Sequence, residues 1–159
     1  MKILVVSDTH GRDENLETVV YREAPFDMLV HCGDVEGREI FIEALAEVPC
    51  CIVSGNNDFF SDLPREEEIE IAGKKFLVTH GHYYGVSIDE TGVVEEAHSR
   101  NCDGVMFGHT HRPVLEVIDG ILAINPGSLS YPRQMGRRPS YVVLETDEDG
   151  NITGEIKYL

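Results

Sequence analysis

Five short apolar runs recur along the chain, and small polar residues that include histidine or aspartate follow each of them at once. The runs are rich in β-branched side chains and have the length of strands: residues 3–6, 28–30, 51–53, 76–78 and 105–107. Short apolar runs bounded by turn residues are typical of strands that are covered on both faces. The pattern therefore predicts buried strands that deliver polar side chains at their carboxyl ends.

Helical patterns lie between several of these runs. Apolar side chains recur at helical spacing in residues 15–24, 39–47 and 88–100. Strands that alternate with helices at this spacing predict an α/β architecture with parallel strand pairing.

A hairpin is predicted where residues 68–71 and 75–78 are joined through Ala72 and Gly73. The last third of the chain has further strand patterns but no clear helix: residues 114–118, 121–124, 140–144 and 152–158. We expect these strands to pair antiparallel, either within a mixed sheet or as a second sheet packed on the first.

The charge of the chain is strongly negative. Thirteen Lys and Arg residues against 29 Asp and Glu residues leave a formal charge of −16 over 159 residues. This balance counts against binding to nucleic-acid polymers and to anionic membrane surfaces, because both need clustered cations. Hydrophobic residues make up 42% of the chain, which excludes disorder, and the length predicts a single domain over residues 1–159.

The sequence also favours a cytoplasmic location. Only four apolar residues follow Met1 and Lys2, and no run approaches the length of a membrane helix. The four cysteines have no C-x-x-C spacing, which excludes zinc-ribbon and thioredoxin motifs and is consistent with reduced thiols.

The ends of the five apolar runs carry seven candidate metal ligands. They are Asp8, His10, Asp34, Asn56, His80, His109 and His111. Ligands of open α/β sheets bind outside the carboxyl ends of the strands, so one fold of this kind would gather all seven at one rim. A mixed nitrogen and oxygen set without thiolate suits Mn, Fe, Zn or Ni and not calcium. Seven ligands exceed what one transition metal takes from a protein but suit two ions that share a carboxylate.

Two divalent cations would give the site a charge opposite to that of the surface. After neutralisation by Asp8 and Asp34 a surplus of about two positive charges would remain, which can bind and polarise a phosphate. Two ions about 3.5–4 Å apart can also hold a bridging hydroxide for in-line attack. We expect two divalent transition metals as cofactors, with manganese favoured and Ni, Fe and Zn left open.

The order of the polar motifs resembles the calcineurin-like metallophosphoesterase superfamily. The motifs are Asp8-x-His10, Gly33-Asp34, Gly55-Asn56-x-Asp58, His80 and Gly108-His109-x-His111. The small size, residues 79–82 and residues 125–128 resemble the compact YfcE-like phosphodiesterase branch. The resemblance implies a four-layer α/β/β/α sandwich of two mixed sheets. It also implies one metal on Asp8, His10, Asp34 and His111 and a second on Asp34, Asn56, His80 and His109, bridged by Asp34.

One position departs from the superfamily pattern. Most members have histidine in the third motif, where this chain has Asn57. An amide has no titratable proton near neutral pH and cannot act as a general acid, although it can donate a hydrogen bond to a phosphoryl oxygen. We therefore expect Asp34, Asn57 and His82 to be the catalytic residues, with His82 as a substitute acid or substrate contact. Aryl or activated diesters should be preferred over alkyl phosphates.

For several other polar residues, a structural role must be weighed against a functional one. His31 and His98 are interpreted as structural, whereas Ser128 and Arg133 could lie near a bound phosphate. For Tyr83, Tyr84 and Tyr131, stacking on a base and packing in a homo-oligomer contact are both open.

The sequence thus predicts a metal-dependent phosphodiesterase that acts on small phosphodiesters through a metal-bridging hydroxide. Two alternatives remain open: a non-catalytic protein-binding module on the same fold, like the retromer subunit of this superfamily, and a phosphomonoesterase. The retromer subunit departs from the family pattern at ligand positions, whereas this chain keeps all seven ligand types.

Overall fold

The computed structural model describes residues 1–159 and contains two five-stranded mixed sheets. The first sheet has the order β10-β9-β1-β2-β3, and its strands are β1 (Lys2–Val6), β2 (Met28–His31), β3 (Cys50–Ile52), β9 (Ser140–Thr146) and β10 (Ile152–Tyr158). The second has the order β4-β5-β6-β8-β7, and its strands are β4 (Glu66–Ile71), β5 (Lys74–Thr79), β6 (Gly104–Met106), β7 (Pro113–Ile118) and β8 (Ile121–Pro126). β1, β2 and β3 pair parallel, as do β5 and β6, as predicted.

Three helices cover the outer faces of the two sheets. α1 (Glu14–Glu23) and α2 (Glu39–Ala46) pack on the first sheet, and α3 (Thr91–Ser99) packs on the second. α3 begins three residues later than the pattern predicts, and Ile88 is exposed. No helix is both long and apolar enough to span a membrane.

The side chains of the central strand β1 point alternately to the two faces of the first sheet, which explains how the layers form. Leu4 and Val6 of β1 face the cluster beneath α1 and α2, whereas Ile3 and Val5 face the second sheet. All four side chains are fully buried, which is why β1 is a continuous apolar run. The result is the predicted four-layer α/β/β/α sandwich.

The C-terminal strands confirm one part of the expectation and correct another. β9 and β10 extend the first sheet as an antiparallel pair, and β7 and β8 form an antiparallel hairpin in the second sheet. β8, however, pairs parallel with β6, so the expectation of purely antiparallel pairing was wrong there. The loop after β6 reverses the chain at one rim, so β7 runs back and β8 regains the direction of β6.

The buried side chain of Glu23, at the end of α1, links this helix to strands β9 and β10 at one edge of the first sheet. Its carboxylate accepts hydrogen bonds from Tyr141 Oη at 2.7 Å and Lys157 Nζ at 3.1 Å, and Lys2 Nζ lies 3.0 Å away. Burial alone would raise the pKa of Glu23, but these three partners outweigh it and lower the pKa from 4.5 to about 2. The contribution of the ionised Glu23 carboxylate to the free energy of unfolding is therefore present above about pH 4.5 and is lost as the pH falls towards 2.

We expect Glu23→Ala to lower the free energy of unfolding by about 2–4 kcal/mol near neutral pH, because it removes the partner of the buried Tyr141 hydroxyl and of two partly buried ammonium groups. Glu155→Ala is the matched control, since its exposed carboxylate lies 4.0 Å from the same Lys157 Nζ. Urea unfolding at pH 7 and pH 3 measures both variants. Equal losses in the two variants, or a Glu23→Ala loss that does not shrink at pH 3, would contradict the prediction.

Candidate metal centre

The loops that follow β1, β2, β3, β5 and β6 meet at one rim of the sandwich and bring the seven predicted ligands together. Side chains that are 101 residues apart in the chain come into contact there: His10 Nε2 lies 3.3 Å from His111 Nε2. The convergence follows from the parallel pairing of these strands, which places their carboxyl ends on the same side.

One group of donor atoms is formed by Asp8, His10 and His111, with Asp34 beside it. Asp8 Oδ1 lies 3.1 Å from His111 Nε2 and 3.6 Å from His10 Nε2. Asp34 Oδ2 lies 3.7 Å from His10 Nε2. Nitrogen and oxygen atoms at these separations could face a common ion.

A second group of donor atoms lies on the other side of Asp34. Asn56 Oδ1 is 3.0 Å from His80 Nε2 and 2.9 Å from His109 Nδ1. Asp34 Oδ2 is 3.4 Å from His80 Nε2. The same carboxylate oxygen therefore borders both groups, as a bridging ligand would.

An unpaired oxygen atom supports the fit to a cation. Asp8 is fully buried, and its Oδ2 accepts hydrogen bonds from Ser7 Oγ at 2.6 Å and from the His109 backbone N–H at 3.1 Å. Its Oδ1 is buried and has no hydrogen-bond donor. Buried carboxylate oxygens are rarely left without a partner, so this atom fits the role of a metal ligand.

The far ring nitrogens of three histidines are fixed by oxygen acceptors. His80 Nδ1 lies 2.7 Å from the Cys32 carbonyl, and His111 Nδ1 lies 2.6 Å from the Tyr131 carbonyl. Since a carbonyl only accepts, both Nδ1 atoms donate, which in the neutral imidazole leaves the lone pair on Nε2 available to a metal. His10 Nδ1 lies 2.8 Å from Glu36 Oε1 in the same arrangement.

The backbone at the centre is held in an uncommon conformation. Five of the seven candidate ligands have positive φ angles: Asp8 (54°), His10 (49°), Asp34 (58°), His109 (69°) and His111 (57°). Residues other than glycine rarely adopt this region, and such conformations persist where surrounding contacts impose them.

Asp58 is one residue that imposes this conformation. Its carboxylate accepts backbone N–H groups from Asp34 at 2.8 Å, Gly55 at 2.7 Å and Glu36 at 2.7 Å, and so fixes the loop that carries Asp34. Asp58 belongs to the motif Gly55-Asn56-x-Asp58, but the sequence alone predicts no role for it. Its position two residues after Asn56 is the one signal that could have pointed to it.

Two positions at the centre require glycine, because other atoms lie where a Cβ atom would be. A Cβ atom at Gly55 would collide with Asp34 Oδ1, and one at Gly108 would collide with Ser7 Oγ and Asp8 Oδ2. Neither loop could carry a larger residue without displacing a candidate ligand.

The electrostatics of the centre favour ionised carboxylates. Burial opposes the charge of Asp8, but the imidazoles of His10 and His111 outweigh it and hold its pKa well below the usual range. Burial likewise opposes the charge of Asp34, whose pKa is nevertheless lowered to about 2 by His80 and Asn57. Burial lowers the pKa of His109, and the neighbouring His80 adds to this effect, which favours the neutral imidazole that binds metals.

Asn57 contacts the central carboxylate in this structure. Its backbone N–H donates to Asp34 Oδ1 and its side-chain amide donates to Asp34 Oδ2, both at 2.8 Å. His82 stacks on Tyr83 with ring centroids 4.1 Å apart, and its ring lies 6.0 Å from that of His109. The buried Nδ1 of His82 has no hydrogen-bond partner.

Other polar residues of the motifs support the loops. His31 is fully buried, with Nε2 3.1 Å from Thr9 Oγ1 and Nδ1 accepting the Gly33 backbone N–H, and burial lowers its pKa to about 4. Ser128 Oγ donates to the Asp8 carbonyl at 2.8 Å, so it fixes the Asp8 loop. His98 is exposed on α3 and bonds the Asp119 carbonyl, away from the centre.

Comparison with known proteins agrees with this geometry. The sequence profile of the calcineurin-like phosphoesterase superfamily domain matches residues 1–149. A probable metallophosphoesterase of Bacillus subtilis, YsnB, is 39% identical over 152 residues, which cover 94% of this chain and 86% of that protein. The phosphodiesterase MJ0936 of Methanocaldococcus jannaschii is 30% identical over 145 residues, which cover 80% of this chain and 83% of that protein.

A solved structure shows the same architecture in a more distant protein. Wild-type Vps29 of Entamoeba histolytica, solved in complex with Zn²⁺, superposes with a TM-score of 0.78. The alignment covers 99% of both chains at 22% sequence identity. At this identity the likeness concerns the fold alone.

Proposed function

This chain belongs to the calcineurin-like phosphoesterase superfamily, and we propose that it is a dinuclear metal-dependent phosphodiesterase that acts on small phosphodiesters. The observation that carries the proposal is the position of Asp34 Oδ2, 3.7 Å from His10 Nε2 and 3.4 Å from His80 Nε2. The superfamily match and the name of the relative MJ0936, a phosphodiesterase, support the reaction class.

Under this proposal Asp8, His10, Asp34 and His111 hold one ion, and Asp34, Asn56, His80 and His109 hold the other. Two divalent cations bound there, with manganese as our expectation, would polarise the phosphodiester and lower the pKa of water so that a hydroxide nucleophile forms near neutral pH.

The chain itself would orient the reacting groups. Asn57 holds both oxygens of Asp34 and so fixes the direction of the shared carboxylate. Burial lowers the pKa of His82, and the nearby His80 adds to this, so the ring is neutral near neutral pH. We therefore assign to His82 a hydrogen bond to the substrate. With no strong acid at hand, departure of the alcohol depends on the leaving group, and this favours aryl diesters.

The test is hydrolysis of bis(4-nitrophenyl) phosphate with added Mn²⁺ by wild type and His109→Ala. Loss of one donor of the second group should lower kcat/KM by at least about 100-fold, or about 3 kcal/mol in activation free energy. His98→Ala is the matched control, since this exposed histidine lies on α3. A His109→Ala variant within a few-fold of wild type would contradict the proposal.

A second candidate function is a non-catalytic protein-binding module on the same fold, an alternative that the sequence leaves open. Binding of the metals without hydrolysis of any substrate in a broad phosphoester panel would favour this function. A phosphomonoesterase would instead be recognised by higher rates on monoesters than on diesters.

We also propose that the reaction takes place in the cytoplasm. The four cysteines form no disulfide, and three of them are buried. Such thiols are consistent with a reducing compartment.

A further inference from the structure

A basic hollow opens beside the first group of candidate ligands. It has a volume of about 690 Å³, and its wall begins at His10 and His111. The rest of the wall includes three arginines, Arg112, Arg133 and Arg137, together with Tyr131. A second hollow of about 450 Å³ shares Arg112 and Arg133 with it.

The three arginines carry uncompensated charge. The ion pairs of this chain use Lys2, Arg38, Lys75, Arg100 and Lys157 as cationic partners, in addition to histidines. None of the three arginines in the hollow lies within ion-pair distance of a carboxylate, although acidic residues outnumber basic ones by 29 to 13. Glu36, the one carboxylate in the wall, is already paired with His10 Nδ1 at 2.8 Å.

The arginine-bearing loop is fastened to the metal centre. The Tyr131 carbonyl accepts a hydrogen bond from His111 Nδ1 at 2.6 Å, and the Arg133 backbone N–H donates to the His111 carbonyl at 3.0 Å. Ser128 Oγ, which holds the Asp8 loop, also accepts the Tyr131 N–H at 2.8 Å. The backbone at Arg133, and at Arg112 next to His111 in the chain, is thereby tied to the candidate ligands.

The hollow also has an aromatic side. Tyr131 stands edge-on to His10 with ring centroids 5.4 Å apart, and the guanidinium of Arg12 lies 5.1 Å from the Tyr131 ring centroid. A planar ring could pack against this side while the arginines contact an anion.

We infer that the hollow binds a second phosphate group of the substrate, so that the preferred substrate is a small phosphodiester with a terminal phosphate on one arm. The inference rests on the proposed phosphodiesterase function and names its substrate class. Guanidinium groups recognise phosphate through paired, charge-assisted hydrogen bonds, and the volume suits one nucleotide-sized arm. Unpaired cations beside the centre would also offset the repulsion of an anionic substrate by the acidic surface.

The experiment compares the 5′-phosphorylated and the unphosphorylated thymidine dinucleotide as substrates in the presence of Mn²⁺. In the wild type kcat/KM should be at least about 10-fold higher for the phosphorylated dinucleotide, as expected for hydrogen bonds to a charged group. In the double variant Arg133→Gln/Arg137→Gln this ratio should fall to about twofold or less. Arg22→Gln, an exposed arginine on α1, should keep the wild-type ratio.

A ratio near one in the wild type, or an undiminished ratio in the double variant, would overturn the inference. Failure of the proposed function looks different, because bis(4-nitrophenyl) phosphate and the internal diester bond of both dinucleotides would then remain intact. Whenever neither dinucleotide is hydrolysed, whether or not the aryl diester is, the affinities of the two dinucleotides measured by calorimetry decide. Tighter binding of the phosphorylated one that is lost in the double variant supports the second-phosphate site, and equal affinities overturn it.

Discussion

Replacing Asp34 with asparagine is expected to lower kcat/KM for an aryl phosphodiester by at least about 1,000-fold, or about 4 kcal/mol in activation free energy. Asp34 Oδ2 is the atom that borders both donor groups, so its loss should weaken both metal sites at once. The amide cannot compensate by rotation. Asn57 donates to both oxygens of Asp34, so an NH₂ group in either orientation would face a donor.

Asp149→Asn is the charge-matched control for this variant. Asp149 is exposed in the turn between β9 and β10, and that turn lies near the amino end of β1, opposite to the metal centre. Steady-state kinetics and elemental analysis should be combined with circular dichroism to show that both variants are folded. An Asp34→Asn protein that keeps two metal ions per chain, or stays within tenfold of wild-type activity, would contradict the assignment.

The sequence was informative about the site because each candidate ligand follows directly after a buried strand. The apolar runs ending at Val6, Val30 and Val53 predict where the chain emerges, and parallel pairing then places those ends together. Strand position alone therefore brings Asp8, Asp34 and their neighbours to one rim, without any knowledge of the side-chain contacts.

The sequence was less informative about how the strands divide between the two sheets. The runs at β3 and β6 have the same apolar character, yet they belong to different sheets, because long-range packing and not local pattern decides the partner. For the same reason, the parallel pairing of β8 with β6 could not be read from its apolar residues.

Roles that depend on hydrogen bonds also required the structure. The sequence suggested a substrate contact for Asn57, whereas in the folded chain its amide holds Asp34. The bonds from backbone N–H groups to Asp58, and the positive φ of Asp34 that they support, follow from loop closure and leave no periodic pattern. The unpaired arginines of the basic hollow likewise become evident only when their distance from every carboxylate is known.

Mn²⁺ in large excess over its dissociation constants is expected to raise the Tm of the wild-type protein, relative to the protein in EDTA, by about 8–16 °C for each of the two sites that it fills. One site filled at 1,000 times its dissociation constant contributes about 4 kcal/mol, and a chain of this size gains about 2–4 °C per kcal/mol. The physical reason lies in the centre itself. Asp8 and Asp34 are buried, and Asp8 Oδ1 has no donor that a cation would need to displace.

Variants of the donor groups distinguish stabilisation by Mn²⁺ bound at the centre from stabilisation by Mn²⁺ on the acidic surface. His109→Ala removes a donor of the second group only, so it should retain the part of the Tm increase that comes from the first. Asp34→Asn should retain little of it, and Asp149→Asn should retain all of it, since its carboxylate is far from the centre. Differential scanning calorimetry across a Mn²⁺ titration measures these shifts. Equal increases in wild type and Asp34→Asn would show that Mn²⁺ acts on the acidic surface, because the −16 charge is nearly the same in both.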